Sequence, residues 1–381
     1  MQATSPAGSP TGRPTKPPAL RIRLVVPGNI RHNSGGNVYN AALARELTAL
    51  GAQVETCPLD GDWPVGSAED RQRLGAVLRE GAGRAGQPVT LVDGLLACGA
   101  PQEVSAAAAA GCPAWILLHM PLENTGQDQV GLEARAVQAA AGVICTSASA
   151  AARLRARHGL EDVRVALPGT DAAALAAGSE PPHLLAVAAL LPNKDQMLLL
   201  AALSGVADLP WTASLIGSDT ADPAYAALLR ETAKQRGLQD RIRIPGELRG
   251  GALEAEWSAA DLTLLISRAE TYGLVVTESL ARGIPVVVRA GTGAVEALAA
   301  GSQPGTPAGG TDPEPGTAVG LGTDPANLTD VLRKWLSEPG LRARWRAAAS
   351  NARGNLPGWD STARTVLEAL TQEGPATRPN S

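Results

Sequence analysis

Two carboxylates bracket an apolar run in "ETYGLVVTES": Glu270 and Glu278, with Gly273 between them. The preceding "LTLLIS" reads as a strand, so "RAETYG" is the loop at its C-terminal end and a helix begins beside Gly273. Glu270 then lies in the loop and Glu278 about one turn inside the helix. The N–H groups near Leu274 and Val275 lack intrahelical acceptors and form a partial positive end suited to a phosphate. Carboxylates that accept hydroxyl hydrogen bonds on either side of a diphosphate would suit a nucleotide sugar. The plainer alternative is that Glu270 caps the helix and Glu278 is merely solvated.

The rest of the chain has to position that loop. Its 381 residues favour two domains, each with its own core. With 44% apolar and 18% charged residues it has ordinary globular composition. A net charge of −4 gives no electrostatic reason to expect nucleic acid or an anionic membrane as the main partner. Cys57, Cys98, Cys112 and Cys145 are scattered, which points to free thiols in a reducing cytosol and away from a disulfide framework or zinc site. The N-terminus lacks a continuous apolar core for a secretory signal, and "LLAVAALLP" and "MLLLAAL" are too short to span a membrane. A cytoplasmic protein is expected, with membrane contact at most peripheral.

Residues 1–19 read as a disordered leader rich in Pro, Ser, Thr and Gly. From "RIRLVV" onward strands alternate with helices: "NVYNAALARELTALG", "AQVETCPL", "PVTLVDGL", a helix near 101–110, "AWILLHM", "EARAVQAA", "GVICTS", "SAAARLRARHG" and "VRVALPG". Such alternation implies parallel strands covered on both faces. Turn-rich "PGTDAAALAAGSEPP" marks a boundary near 170–182, after which the alternation restarts and runs to "IPVVVRA". Residues 300–318 read as a long Gly/Pro-rich loop, followed by helices. The expected fold class is α/β, two tandem Rossmann-like parallel-sheet domains: 20–180, and 181–358 carrying the glutamate loop. Residues 359–372 are expected as a helix crossing back to the N-terminal domain, and 373–381 as a disordered tail. Parallel sheets bind ligands at the C-terminal ends of their strands, so the cleft between two such edges is the expected site.

"SRAETYGLVVTESLARGIPVVVRAGTGAVEAL" resembles the donor-binding signature of glycosyltransferase family 4, retaining enzymes of the GT-B fold. Glu270, Glu278, Gly283, Pro285 and Glu296 match it, while Thr292-Gly293 stands where Gly-Gly is usual. "SGGNVYNAALARELTALGAQVE", "LLHMPL", "VICTSASAARL", "VALPGTD", "AVAALLPNKDQMLLLAAL" and "LQDRIRIPGEL" resemble further family segments in the right order.

The resemblance implies a nucleoside-diphosphate sugar donor and an acceptor that is a small molecule, lipid or glycan. Glu270 would contact donor-sugar hydroxyls and Glu278 the ribose. Backbone around Thr271, Tyr272, Gly273, Leu274 and Val275 would meet sugar or phosphate oxygens. Lys194 would bind the diphosphate, Gly35 and Gly36 would let the N-terminal domain approach it, and His119 would contact the sugar. Glu247 and Leu248 would face the base. His119, Lys194 and Glu270 are the expected catalytic residues.

Two positions depart from the pattern. Ala189 stands where many relatives have a second diphosphate-clamping arginine, a loss that Arg268 or Arg31 could offset. Asp195 replaces the glycine of the common Lys-Gly and places a carboxylate near the expected diphosphate. These keep a nucleotide-sugar-binding or regulatory module as a second reading and a nucleotide-sugar epimerase as a third. A glycosidase using Glu270 and Glu278 is disfavoured by the helix start between them. "VVVRAGTGAVE" begins like a dinucleotide fingerprint but has Glu296 at the third glycine position, so NAD is not expected. No His/Cys cluster occurs, and neither metal nor cofactor is expected. The arginine-rich stretches at 153–157 and 341–346 read as solvated faces, with an anionic-lipid contact as the lesser alternative.

Overall fold

The computed structural model describes residues 19–29, 34–122, 127–301 and 314–372. Nearly all of the expected leader, the expected tail and Arg31 lie outside the described residues. In chain order the first half holds β1 (Arg21–Pro27), α1 (Gly35–Ala49), β2 (Gln53–Leu59), α2 (Ala68–Leu78), β3 (Val89–Asp93) and α3 (Gly94–Ala97). It continues with α4 (Pro101–Ala109), β4 (Ala114–Leu118), α5 (Gln127–Ala139), β5 (Gly142–Cys145), α6 (Ala148–His158) and β6 (Val163–Val165). The second half runs β7 (His183–Val187), α7 (Gln196–Ser204), β8 (Thr212–Ile216), α8 (Pro223–Gln235), β9 (Ile242–Gly246), α9 (Gly250–Ala259), β10 (Leu262–Leu265) and α10 (Leu274–Ala281). It ends with β11 (Val286–Arg289), α11 (Ala294–Ala299), β12 (Gly316–Val319), α12 (Ala326–Ser337), α13 (Pro339–Ala352) and α14 (Trp359–Thr371).

The strands form two six-stranded parallel sheets, ordered β2-β1-β3-β4-β5-β6 and β12-β11-β10-β7-β8-β9. The two-domain α/β fold class expected from the alternation is therefore the observed one. Each sheet is buried on both faces, so its central strands are continuously apolar: "AWILL" of β4 and "LTLL" of β10 are buried throughout. In the second sheet Leu199, Leu215 and Trp335 fill one face, while Val276, Leu280 and Val286 fill the other. α12 shows why such helices form: Leu328, Leu332, Trp335 and Leu336 recur at helical spacing and all are buried. Truncating one of these leucines to alanine costs about 2–5 kcal/mol. α14 packs on α1, with Trp359 edge-on to Tyr39 at 5.4 Å and Thr362 Oγ1 donating to the Leu167 carbonyl at 2.7 Å.

Four elements go beyond the sequence alternation, α11 being one of them. Residues 316–318, expected as the end of a loop, belong to the edge strand β12 beside β11. α2 is announced by a capping box, in which Ser67 accepts from the Asp70 N–H and Asp70 accepts from the Ser67 N–H. α3 is one short turn capped by Asp93, and the strand read through "DGL" stops at Asp93.

Arg153, Arg155, Arg157 and Arg344 are exposed, in keeping with the expected solvated faces, and several arginines of the two stretches also tie down backbone carbonyls. Arg155 and Arg157 donate to the carbonyls of Val163 and Leu122. Arg342 closes the end of α12 through the Trp335 and Leu336 carbonyls, and Arg346 reaches the Ala176 carbonyl. All four cysteines are free, and only Cys57 is not fully buried. Burial pushes the Cys145 thiol up to about 12 and Cys98 well above its usual value, so neither is a ready nucleophile.

Each sheet reverses its winding direction once. The first does so between β1 and β3, the second between β7 and β10. A crevice opens at such a point because the loops leave for opposite faces.

Candidate functional site

Lys194 and Glu270 flank the reversal in the second sheet. β7 is followed by a tight turn, Pro192–Lys194, and then by Asp195 in the left-handed region at φ 57°. Beyond β10, the loop carrying Glu270 is tied to that turn by the Arg268 N–H donating to the Asn193 carbonyl at 2.8 Å. Lys194 Nζ and Glu270 Oε1 meet at 2.6 Å. Glu270 is therefore not the cap of α10. That place belongs to Gly273, whose φ of 89° is readily adopted by glycine and where a Cβ would meet Leu265 Cδ2 at 2.8 Å; no side chain caps the start of the helix.

Glu278 is half-buried and not a solvated residue. Among the described residues its carboxylate accepts no hydrogen bond, since Arg282 donates to its backbone carbonyl and to the Glu254 side chain. Burial raises its pKa above the ordinary 4.5; the Arg282 charge opposes this, and Asp171 and Glu254 add to it. A carboxylate so placed is an acceptor without a donor.

Asp195 differs from the sequence expectation. Its side chain is buried and turned toward two guanidinium groups, accepting from Arg289 and, at 3.0 Å, from Arg268. Arg289 is itself buried and also holds the Ile266 and Leu321 carbonyls. The carboxylate is thus neutralised and does not present a bare negative charge to the crevice. Arg268 keeps most of its side chain in solvent, anchored at one end by Asp195.

The remaining second-lobe candidates serve through backbone or packing. Tyr272 is a core side chain beside Val276 and Leu280. Thr271 and Glu270 offer carbonyls against Gly293, whose N–H donates to Glu270 O at 2.8 Å. Val275 and Leu248 pack in one cluster, and Glu247 is engaged by Arg249 at 2.9 Å.

Across the crevice, the start of α10 faces the first helix of the other lobe. A Cβ on Gly35 would lie 3.6 Å from Leu274 Cδ1, and one on Gly36 only 3.3 Å from His119 Cδ2. His119 follows β4 and is not a solitary histidine. Its Nε2 lies 3.0 Å from Asn40 Oδ1 and 3.4 Å from Asp93 Oδ2. Asn40 Nδ2 donates to Asp93 at 2.7 Å and the Leu95 N–H donates to its other oxygen at 2.9 Å. Burial works to raise the Asp93 pKa, but the charge and hydrogen bond of His119, with the Leu95 and Asn40 donors, outweigh it and hold the carboxyl below the usual range. Asn40 and Asp93 were not singled out by sequence. Asp93 had a signal, an aspartate ending a buried strand before glycine.

Two doubly covered parallel-sheet lobes of this kind are the architecture of the GT-B glycosyltransferases. Residues 170–352 match the family described as glycosyl transferases group 1. Among curated relatives, D-inositol 3-phosphate glycosyltransferase of Thermomonospora curvata is 32% identical over 195 residues, 49% of this chain and 42% of that protein. The matched stretch thus covers less than half of that relative's length. The solved structure of HepE from Anabaena with UDP and glucose superposes with a TM-score of 0.71 at 18% identity, covering 92% of this chain and 99% of that one. Sucrose-phosphate synthase from Thermosynechococcus elongatus gives 0.73 at 19%, over 93% and 98%. Among the described residues no helix is long and apolar enough to cross a membrane.

Proposed function

We propose that the protein is a retaining, metal-independent hexosyltransferase that moves a sugar from a nucleoside-diphosphate donor to an acceptor hydroxyl. The observation that carries this reading is the meeting of Lys194 and Glu270 at the sheet reversal, beside the uncapped start of α10. Lys194 and the α10 N–H groups stabilise the diphosphate as negative charge develops on it. Glu270 accepts sugar hydroxyls, exchanging part of its bond with Lys194 for them, and Glu278 accepts from the ribose.

His119, oriented by Asp93 and Asn40, meets the sugar from the opposite lobe. Among the described residues no side chain stands out as a nucleophile, and the reading is front-face displacement. The bond from the anomeric carbon to the leaving phosphate breaks as the acceptor oxygen bonds to the same face, and the acceptor proton passes to that phosphate. The relatives' names and the UDP-bound neighbour support a nucleotide-sugar donor, with UDP-sugars to be tried first.

The observed pairing of Asp195 with two arginines removes one of the two features that favoured an impaired site; Ala189 remains. Thermal-shift titration with UDP-, GDP- and ADP-sugars, followed by product analysis with and without acceptors and with chelator present, tests the proposal. Concentration-dependent stabilisation by one donor and transfer with retained anomeric configuration are expected. Isomerised donor in the absence of acceptor would mean an epimerase, and binding without transfer a regulatory module.

A further inference from the structure

Glu296 has no task in that mechanism, yet its carboxylate crosses between lobes. It stands in the first turn of α11, and its Oε1 accepts from the Ala148 N–H at 2.9 Å while Oε2 accepts from the Ser149 N–H at 3.2 Å. Those two groups open α6, where helix geometry leaves them without intrahelical acceptors. The cap of α6, Ser147, is occupied with the Ala150 N–H. A carboxylate at the positive end of a helix is favourably placed.

The contact is wired to both halves of the site. Thr146, just before the cap of α6, donates from Oγ1 to the His119 carbonyl at 3.3 Å, and its N–H donates to Leu118. On the other side Ser149 Oγ donates to the Thr271 carbonyl at 3.4 Å, next to Glu270. α11 itself begins at Gly293, which lies directly against the Glu270 and Thr271 carbonyls.

We infer that Glu296 is a positioning residue: by holding the start of α6 it docks the N-terminal lobe, and His119 with it, onto the donor loop in the arrangement transfer requires. This rests on the transferase reading. Glu296 touches neither donor nor acceptor in this role, so its loss lowers turnover and spares donor affinity.

Three variants test it from both sides of the contact. Glu296→Ala removes the acceptor, and Glu296→Gln keeps one oxygen. Ala148→Pro deletes a single donor, at the first helical position, where proline is tolerated. The preceding Ser147, at φ −156° and ψ 155°, already has the extended backbone that proline asks of its neighbour. Amide hydrogen exchange at Ala148 and Ser149 in the free protein reads the contact without any substrate.

In Glu296→Ala these two amides should exchange about tenfold faster or more while the interior of α6 is unchanged. With donor and acceptor, kcat should fall about tenfold or more, with UDP affinity within about twofold of the parent and Glu296→Gln intermediate. Glu296→Ala with Ala148→Pro should be no worse than Glu296→Ala alone, since the proline removes a donor whose acceptor is already gone. Parent-like protection in Glu296→Ala, parent-like kcat in a parent that does transfer sugar, or additive losses in the double variant would each overturn the positioning role alone. A parent that transfers no sugar overturns the transferase reading, and the positioning role falls with it.

Discussion

The two lobes use carboxylates in opposite ways. In the first, Asp93 is satisfied by Asn40, Leu95 and His119 and held ionised, its job being to fix another side chain. In the second, Glu278 is half-buried with no donor among the described residues, and Glu270, also half-buried, pairs with the lysine that shares its crevice. A satisfied carboxylate stabilises the lobe that contains it. A half-buried one without a protein donor is partly stripped of water at some cost in stability. On the function proposed above, the first lobe is the preset frame and the second the half that takes up the donor.

The largest test of this contrast is removal of the crevice pair. Lys194→Ala and Glu270→Ala are each expected to slow transfer by roughly two orders of magnitude, since loss of one preorganised group costs about 3–4 kcal/mol of barrier. Steady-state rates with the true donor check this, and parent-like rates in both variants would sink the assignment.

Next comes Asp93→Asn, expected to destabilise the fold by about 1–3 kcal/mol because a buried network loses its acceptor. Asp93 has a depressed folded pKa, so its stabilising contribution is present above 3.8 and is lost as pH falls through the folded value. Denaturant unfolding from neutral pH downward should therefore show the deficit of the variant shrinking in acid.

Gly293→Ala would set a Cβ 1.8 Å from the Thr271 carbonyl oxygen and push the donor loop out of place. An overpacking cost of about 1–3 kcal/mol is expected, read as roughly tenfold weaker UDP binding by calorimetry in a protein that still folds.

The smallest effect reverses the sign seen at Asp93. Glu278→Gln should raise Tm at neutral pH while weakening donor binding. The folded pKa of Glu278 is raised, so the carboxyl favours folding fully below 4.5 and loses that contribution as pH rises through its folded value. The gain in Tm should vanish in acid. If the same amide substitution destabilises both lobes, the contrast between frame and donor half fails.

Local chemistry made much of this readable from the chain alone. The strand-helix alternation, the turn-rich break near 170–182, and the loop that carries Glu270 into a glycine-started helix are encoded by neighbouring residues. Periodicity and glycine placement act over a few positions. Edge strand β12 escaped because four residues amid Gly and Pro carry too little pattern, and its pairing comes from β11.

The side-chain partnerships were decided elsewhere. Lys194 reaches Glu270 across 76 residues, Arg289 reaches Asp195 across 94, and Glu296 reaches Ala148 across 148. The residue pattern singled out Glu270 and Glu278, and the family resemblance added Lys194 and His119 as candidates. Only the tertiary structure chose the partners: β7 lies beside β10, and β3 beside β4, through strand order and packing of whole sheets, which no short stretch of sequence specifies. That same packing turned Asp195 from a suspected repulsive charge into a neutralised anchor.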